Sequence, residues 1–146
     1  MRRQRLQLPL EQAFEFYAQA RNLEAITPPW LGFRVKTPGE IEMREGALIE
    51  YRLALHRIPV RWRTRIEAWE PPVRFVDAQL RGPYALWVHT HTFQADGPEA
   101  VVIGDHVRYA LPFGALGTLA HAAFVRRDLK RIFDYRAQAV AAQLAP

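Results

Sequence analysis

The chain has 146 residues, which is long enough for one domain with a substantial hydrophobic core. It contains neither cysteine nor serine, so disulfides, cysteine-based zinc sites and serine or cysteine nucleophiles are excluded. The formal net charge is +5, but the arginines alternate along predicted strands and do not cluster with exposed aromatic residues, so we expect no nucleic-acid partner.

The hydropathy of the chain indicates neither a membrane segment nor an export signal. No apolar run in the sequence approaches the roughly 20 residues that are needed to span a bilayer. The basic stretch at residues 1–5 leads into alternating residues and not into the apolar core of a signal peptide. We therefore expect a single cytoplasmic domain that spans residues 1–146.

The N-terminal part of the chain predicts one strand and two short helices. Residues 3–8 alternate between polar and apolar side chains, which is typical of a strand. Pro9 suits the first turn of a helix, and helical spacing of apolar residues continues to about residue 18. Residues 22–26 form a second short helix in this interpretation, which ends at Pro28 and Pro29.

From Gly32 to Ala110 the hydrophobic pattern has a period of two, broken by glycine and proline. Short links join the segments, so neighbouring segments are expected to pair as antiparallel strands. Because helices do not alternate with these strands, the pattern favours an α+β domain with one antiparallel sheet. The predicted strands cover about 32–37, 46–55, 58–69, 73–81, 84–94 and 100–110.

Residues 115–144 predict a long amphipathic helix of roughly 40 Å. A helix of this length needs a broad partner, and a curved sheet is the obvious candidate. Its apolar stripe begins with small side chains and ends with large ones, so we expect a cavity under its N-terminal half, near Thr118 and Ala122. The stripe consists of Thr118, Ala122, Val125, Leu129, Ile132, Phe133, Val140 and Leu144.

Two of the predicted strands have a clear inward face. Arg61, Arg63 and Arg65 form a row that is costly to bury, so Trp62, Thr64 and Ile66 are expected to point inward. By the same reasoning, the inward set of the preceding strand is Ile49, Tyr51, Leu53 and Leu55.

Two other strands are ambiguous. In segment 84–94, large aromatics favour an inward face with Trp87, His89, His91 and Phe93, although alternation alone does not decide. In segment 73–81, Phe75 favours an inward face that would also carry Asp77, Gln79 and Arg81. Polar composition favours the opposite face, with Val76, Ala78 and Leu80, and both interpretations stay open.

The order of the predicted elements and several short motifs resemble the SRPBCC superfamily, also called START-like or Bet v 1-like. Within it, the bacterial ligand-binding and polyketide-cyclase-like branch is the most similar. The resemblance covers essentially the whole chain and implies a helix-grip fold, in which a seven-stranded antiparallel sheet wraps around a long C-terminal helix and two short helices close one end. It also implies a cavity for a hydrophobic ligand, but no universal catalytic residue. The motifs are Pro28-Pro29-Trp30-Leu31-Gly32-Phe33, Trp69-Glu70-Pro71-Pro72, Phe75-Val76-Asp77, Gly82-Pro83-Tyr84 and Arg131-Ile132-Phe133-Asp134-Tyr135.

His89 and His91 are the most notable pair for chemistry. On a strand they point the same way and lie roughly 6.6 Å apart along it. They either form hydrogen bonds as cavity or core residues, contact a ligand, or share a metal. A zinc site would need a third ligand, for which Asp105 on the adjacent strand is the nearest candidate. Since no second strong ligand motif is present, we expect neither a metal nor another cofactor.

Arg136 lies on the apolar stripe of the long helix, where an aliphatic residue is expected. We expect it to snorkel past the end of the sheet. Alternatively, it enters the cavity and pairs with an acid such as Asp77 or with an anionic ligand head. The full set of expected ligand-contacting residues is Tyr51, Trp62, Thr64, Asp77, Gln79, Trp87, His89, His91, Tyr109, Thr118, Ala122 and Arg136.

Three functions fit the sequence. The first is a binding module whose cavity holds a hydrophobic or aromatic small molecule or a lipid. The second is a cyclase, aromatase or dehydratase, for which His89, His91 and Asp105 are the plausible acid–base set. The third is an adaptor or stress-related protein without a ligand. The sequence does not decide whether a reaction is catalysed, nor the oligomeric state.

Overall fold

In a computed structural model of the chain, residues 1–112 and 118–145 are described, and of residues 118–120 the backbone alone. The predicted α+β class and the order of elements are confirmed. Two 3₁₀ turns, Ala20–Asn22 and Pro29–Leu31, flank the second helix. The helices are α1 (Leu10–Tyr17), α2 (Leu23–Ile26) and α3 (Thr118–Gln143), and the strands are β1 (Arg2–Leu6), β2 (Arg34–Val35), β3 (Leu48–Leu55), β4 (Ile58–Glu70), β5 (Arg74–Arg81), β6 (Leu86–Ala95) and β7 (Val101–Ala110).

The seven strands form one antiparallel sheet in the order β1-β7-β6-β5-β4-β3-β2. Strands β2 to β7 follow one another as neighbours, as the short links predict. Strand β1 instead pairs with β7 at the far edge, so the segment with α1 and α2 crosses from one edge of the sheet to the other. This crossing segment closes one end of the concave face.

The inward faces predicted for β3 and β4 are confirmed. Ile49 and Ile66 are buried in one core cluster together with Phe33, while the arginines that alternate with them on β4 are exposed. A second core cluster forms where α1 and the C-terminal part of α3 meet the sheet, with Phe14 and Val140 among its members. Burial of these apolar side chains provides the main stabilisation of the fold.

Helix α3 lies across the concave face. Val140 is buried against the sheet, and the ring of Phe133 meets the ring of His89 on β6 edge-on, with 5.5 Å between centroids. The predicted helix start, at residues 115–117, lies outside the described residues. Among the residues described, no helix is both long and apolar enough to cross a membrane.

Candidate functional site

A cavity of about 150 Å³ lies between the concave face of the sheet and α3. Strands β3 to β6, the crossing segment and α3 all contribute to its walls. Of the residues expected to contact a ligand, those that line it are Tyr51, Trp62, Thr64, Asp77, Trp87, His89, His91 and Arg136.

The cavity lies under the middle of α3. The helix contributes Leu129, Ile132, Phe133 and Arg136 to its wall, whereas Ala122 does not line it. The predicted position under the N-terminal half of the helix is therefore wrong as far as Ala122 is concerned, and the side chain of Thr118 lies outside the described residues. Small side chains on a helix do not locate a void by themselves, because the curvature of the sheet sets how far the helix stands from it.

Two further predicted contacts lie elsewhere. Gln79 uses its side-chain amide to bind the backbone of Tyr84, with Nε2 donating to the carbonyl oxygen at 2.8 Å and Oε1 accepting from the N–H at 3.2 Å. Tyr109 lines a second cleft between β7, the start of the chain and α3, and Asp105 lies in the wall of that cleft as well. Neither Gln79 nor Tyr109 lines the main cavity.

The centre of the cavity wall holds two histidines whose positions are fixed by aromatic packing. The rings of His89 and His91 pack against each other at a tilt of 34°, with 3.7 Å between centroids. Phe75 stacks on the other side of His91 at 4.1 Å, and Tyr17 of α1 approaches the same ring at 5.9 Å. The inward face predicted for β6 is thus confirmed, and these contacts limit rotation of the imidazoles.

Each histidine forms a hydrogen bond to an aspartate on a neighbouring strand. His91 Nε2 lies 2.7 Å from Asp77 Oδ2 on β5, and His89 Nε2 lies 2.8 Å from Asp105 Oδ1 on β7. In the strand register Asp77 faces His89 and Asp105 faces His91, so both bonds run diagonally. The sequence allows two inward faces for β5, and the face that carries Phe75 and Asp77 is the one that points into the cavity.

Both carboxylates are ionised at neutral pH although they are largely buried. Burial raises the pKa of Asp77, but the hydrogen bond from His91, the electrostatic interaction with both histidines and the charge of Arg136 together outweigh burial and lower the pKa below its ordinary value. The same balance, with the hydrogen bond from His89, lowers the pKa of Asp105. For His89, burial and the neighbouring His91 lower the pKa, so its imidazole is neutral at pH 7.

Arg136 lines the cavity, and the expectation that it snorkels past the sheet is wrong. Its guanidinium carbon lies 5.1 Å from the centroid of the Phe133 ring. The Nε of Arg136 is buried and has no hydrogen-bond partner among the described residues. Its charge lowers the pKa of both Asp77 and Asp105 without a direct ion pair to either. One strong donor of a cavity-lining residue therefore lacks an acceptor among the described residues.

The similarity of the chain to known proteins lies in its fold alone. No protein-family model and no curated protein matches the chain. Among solved structures, a START superfamily protein from Mycobacterium smegmatis superposes with a TM-score of 0.68 at 11% identity, over 98% of this chain and 94% of that chain. The major latex-like protein 151 of Panax ginseng superposes with a TM-score of 0.71 at 11% identity, over 99% and 95%. The chain has the START-like helix-grip fold.

The resemblance to the SRPBCC superfamily is thus confirmed at the level of the fold. A similar superposition covers 97% of this chain and part of a nucleoside-diphosphate sugar epimerase from Corynebacterium glutamicum, with a TM-score of 0.68 and 20% identity. The chain spans 28% of the length of that epimerase. A START-like fold of this kind therefore also occurs within a longer chain.

Within the START-like fold, the group of possible metal ligands differs from the expected one. Asp77, His89 and His91 each offer one donor atom, and these atoms lie within 4.8 Å of one another. Asp105, the expected third ligand, binds Nε2 of His89 instead. The sequence associates Asp105 with His89 and His91 by its place across the hairpin, whereas it does not decide whether Asp77 points inward.

Sequence reasoning missed one polar neighbour of the site. Tyr17, at the end of α1, lines the cavity beside His91, and burial raises the pKa of its phenol, which stays protonated. The sequence places Tyr17 on the apolar face of α1, which indicates burial but not the partner. Only the packing of α1 against β6 brings it to the histidines.

Proposed function

We propose that residues 1–146 act as a single domain that binds a small hydrophobic or aromatic molecule in the cavity beneath α3. The volume of about 150 Å³ is similar to that of apolar protein cavities that bind benzene, so a ligand with one aromatic ring fits the space. Trp62, Trp87 and Tyr51 supply flat apolar walls. The helix-grip fold that carries this cavity supports the proposal at the level of the fold.

The observation that carries the proposal is the unpartnered donor of Arg136 in an otherwise mostly apolar wall. A buried N–H without an acceptor costs about 1–3 kcal/mol, and a ligand oxygen that accepts from it removes that cost. The ligand is therefore expected to combine an apolar body with one acceptor group, such as a carbonyl oxygen. Membership of the bacterial branch of the superfamily and a cytoplasmic location stay predictions.

Competition between matched small molecules tests this proposal. An anilinonaphthalene sulfonate probe is bound to the protein and displaced by acetophenone or by ethylbenzene, which have similar shapes but differ in the carbonyl oxygen. We expect acetophenone to bind about tenfold more tightly, because a hydrogen bond from a charged donor contributes about 1.5–3 kcal/mol before the carbonyl is desolvated.

The control variant is Arg136→Met, which keeps most of the side-chain volume and removes the donor. The preference for acetophenone should disappear in this variant, while the affinity for ethylbenzene should stay the same or rise. If neither molecule displaces the probe from the wild-type protein, or if the preference persists in Arg136→Met, the proposed site is wrong.

A second candidate function is that of an acid–base enzyme of the cyclase or dehydratase kind. The two cavity histidines, each bound to an aspartate, favour it, since a neutral imidazole held by a carboxylate can accept a proton from a bound substrate. Exchange of the α-hydrogens of acetophenone with deuterated solvent would distinguish this candidate, provided that the exchange is lost in His89→Gln. The open cavity offers no support for an adaptor without a ligand.

A further inference from the structure

With both imidazoles in the neutral form, the cluster of Asp77, His89, His91 and Asp105 has more buried acceptors than donors. Each neutral imidazole carries one N–H, and in the Nε2–H tautomer the bond to an aspartate uses it. The second nitrogen of each ring then presents a lone pair. His91 is 5% exposed, and its Nδ1 is buried without a hydrogen-bond partner among the described residues. It lies 3.6 Å from Asp105 Oδ1, so with this tautomer a lone pair faces a carboxylate.

The two rings point in opposite directions, which creates two similar groups of donor atoms. On the β5 side, Asp77 Oδ2 lies 2.7 Å from His91 Nε2 and 3.9 Å from His89 Nδ1. On the β7 side, Asp105 Oδ1 lies 2.8 Å from His89 Nε2 and 3.6 Å from His91 Nδ1. One oxygen of each carboxylate therefore lies within 4 Å of one nitrogen of each histidine.

We propose that Asp77, His89 and His91 bind a divalent transition-metal ion of the zinc type, and that Asp105 holds both histidines from the opposite side. The metal ligands are a carboxylate oxygen of Asp77, Nδ1 of His89 and Nε2 of His91. This proposal goes beyond the binding of an apolar ligand and does not depend on it. It also departs from the sequence-based expectation that no metal is needed.

A single change of tautomer makes all four side chains compatible. When Nε2 of His91 binds the metal, its proton moves to Nδ1, and that N–H then points at Asp105. His89 already donates its Nε2–H to the same carboxylate. Asp105 thus accepts one hydrogen bond from each ligand histidine, and the buried Nδ1 of His91 gains a partner. A carboxylate that orients metal-binding histidines in this way is common around zinc.

The two distances from Asp77 to the histidines require only small movements. Ligands about 2.1 Å from a tetrahedral zinc ion are separated from one another by about 3.4 Å. The pair of Asp77 Oδ2 and His91 Nε2, at 2.7 Å, must open, and the pair of Asp77 Oδ2 and His89 Nδ1, at 3.9 Å, must close. Both changes are well under 1 Å and are within reach of side-chain torsions.

The donor types and the surroundings indicate which class of metal fits. Two imidazole nitrogens and one carboxylate favour zinc, cobalt or a similar ion over calcium or magnesium, which prefer oxygen ligands. Three protein ligands leave a fourth position open to the cavity that the same residues line. A ligand oxygen can occupy that position.

The test uses the full chain purified without a histidine tag, treated with a chelator and then titrated with Co²⁺. We expect visible absorption bands of tetrahedral cobalt that saturate at one equivalent and disappear when Zn²⁺ is added. Zinc, and not Mg²⁺, should raise the melting temperature of the wild-type protein, because a metal that binds the folded state stabilises it.

Four variants separate the proposed site from adventitious binding. Asp77→Asn and His91→Gln should lose the cobalt bands, whereas Asp105→Asn should keep them with an affinity reduced about 10–100-fold. His106→Gln changes an exposed histidine on β7 and should leave binding unchanged. Circular dichroism checks that each variant is folded.

A wild-type protein that gives no saturable cobalt spectrum and no melting shift with zinc would overturn the proposal. So would a spectrum that survives in both Asp77→Asn and His91→Gln. Binding of the aromatic probe to chelator-treated protein is measured separately, so failure of the metal site is distinguishable from failure of the cavity to bind a ligand.

Discussion

At the scale of single residues, the stability of the site depends on how its buried charges are compensated. The carboxylates of Asp77 and Asp105 lose most of their hydration on folding, and each gains a hydrogen bond to one histidine and the field of Arg136. Burial of such groups is costly, and removal of one partner leaves the other uncompensated. The cluster therefore links the protonation of Asp77, His89 and Asp105 to folding.

The first prediction follows from the direction of these pKa shifts. Because the pKa of His89 is lowered in the folded chain, below about pH 6.5 the unfolded chain binds a proton there that the folded chain does not. The free energy of unfolding therefore decreases as the pH is lowered. The lowered pKa values of Asp77 and Asp105 provide stability above about pH 4 that is lost on further acidification. Denaturant unfolding between pH 8 and pH 3, in the presence of a chelator, measures both steps.

The variant His89→Gln should remove most of the first decline and weaken the second, because His89 also lowers the pKa values of Asp105 and Asp77. His106→Gln, at an exposed position, serves as the matched control. A free energy of unfolding that stays constant or rises as the pH drops from 7 to 5 would contradict the prediction.

Residue patterns predicted part of this cluster. Alternation and the aromatic neighbours of His89 and His91 indicated their inward face, because those signals lie on the same strand. The inward position of Asp77 was not predictable, since its polar neighbours favour solvent and its partners lie on another strand. The β4–β5 pairing also contains irregularities that no local pattern reveals. Gln79 satisfies its amide on the backbone of Tyr84, which sequence reasoning did not anticipate.

At the scale of the elements, α3 has one face on the sheet and one in solvent. Phe133 is 8% exposed and packs against His89, whereas Phe124, also on α3, is 52% exposed. Phe133→Ala should therefore lower the free energy of unfolding by about 3–5 kcal/mol, because it removes a large buried ring and enlarges the cavity. Phe124→Ala should cost less than about 1 kcal/mol.

Denaturant melts of the two variants against wild type measure this difference. Equal effects of the two substitutions would mean that the buried face of α3 is assigned incorrectly.

The elements themselves were predictable from sequence, because alternating arginines mark the outer face of β4 and apolar spacing marks α3. The C-terminal end of the helix was predictable as well, whereas the distance between helix and sheet was not.

At the scale of the whole molecule, the position of the cavity depends on which elements close the ends of the concave face. One core cluster, with Phe14 and Val140, fills the end where α1 meets the C-terminal part of α3. The open volume lies beside it, between the segment around Ala20 and the middle of α3. No single element contains this information, since the void results from the curvature of seven strands around one helix.

The last prediction tests this position with two matched substitutions. Ala20 lines the cavity, and Ala122 does not. Ala20→Phe should place a ring in the void and weaken binding of an anilinonaphthalene sulfonate probe at least about tenfold. Ala122→Phe should leave the affinity within about twofold, because substitutions away from packed sites have modest effects. If overpacking prevents Ala20→Phe from folding, Ala20→Leu provides a smaller plug that should weaken binding in the same direction. Fluorescence titration measures the affinities, and loss of binding in Ala122→Phe with no loss in the Ala20 variants would place the ligand under the N-terminal half of α3 after all.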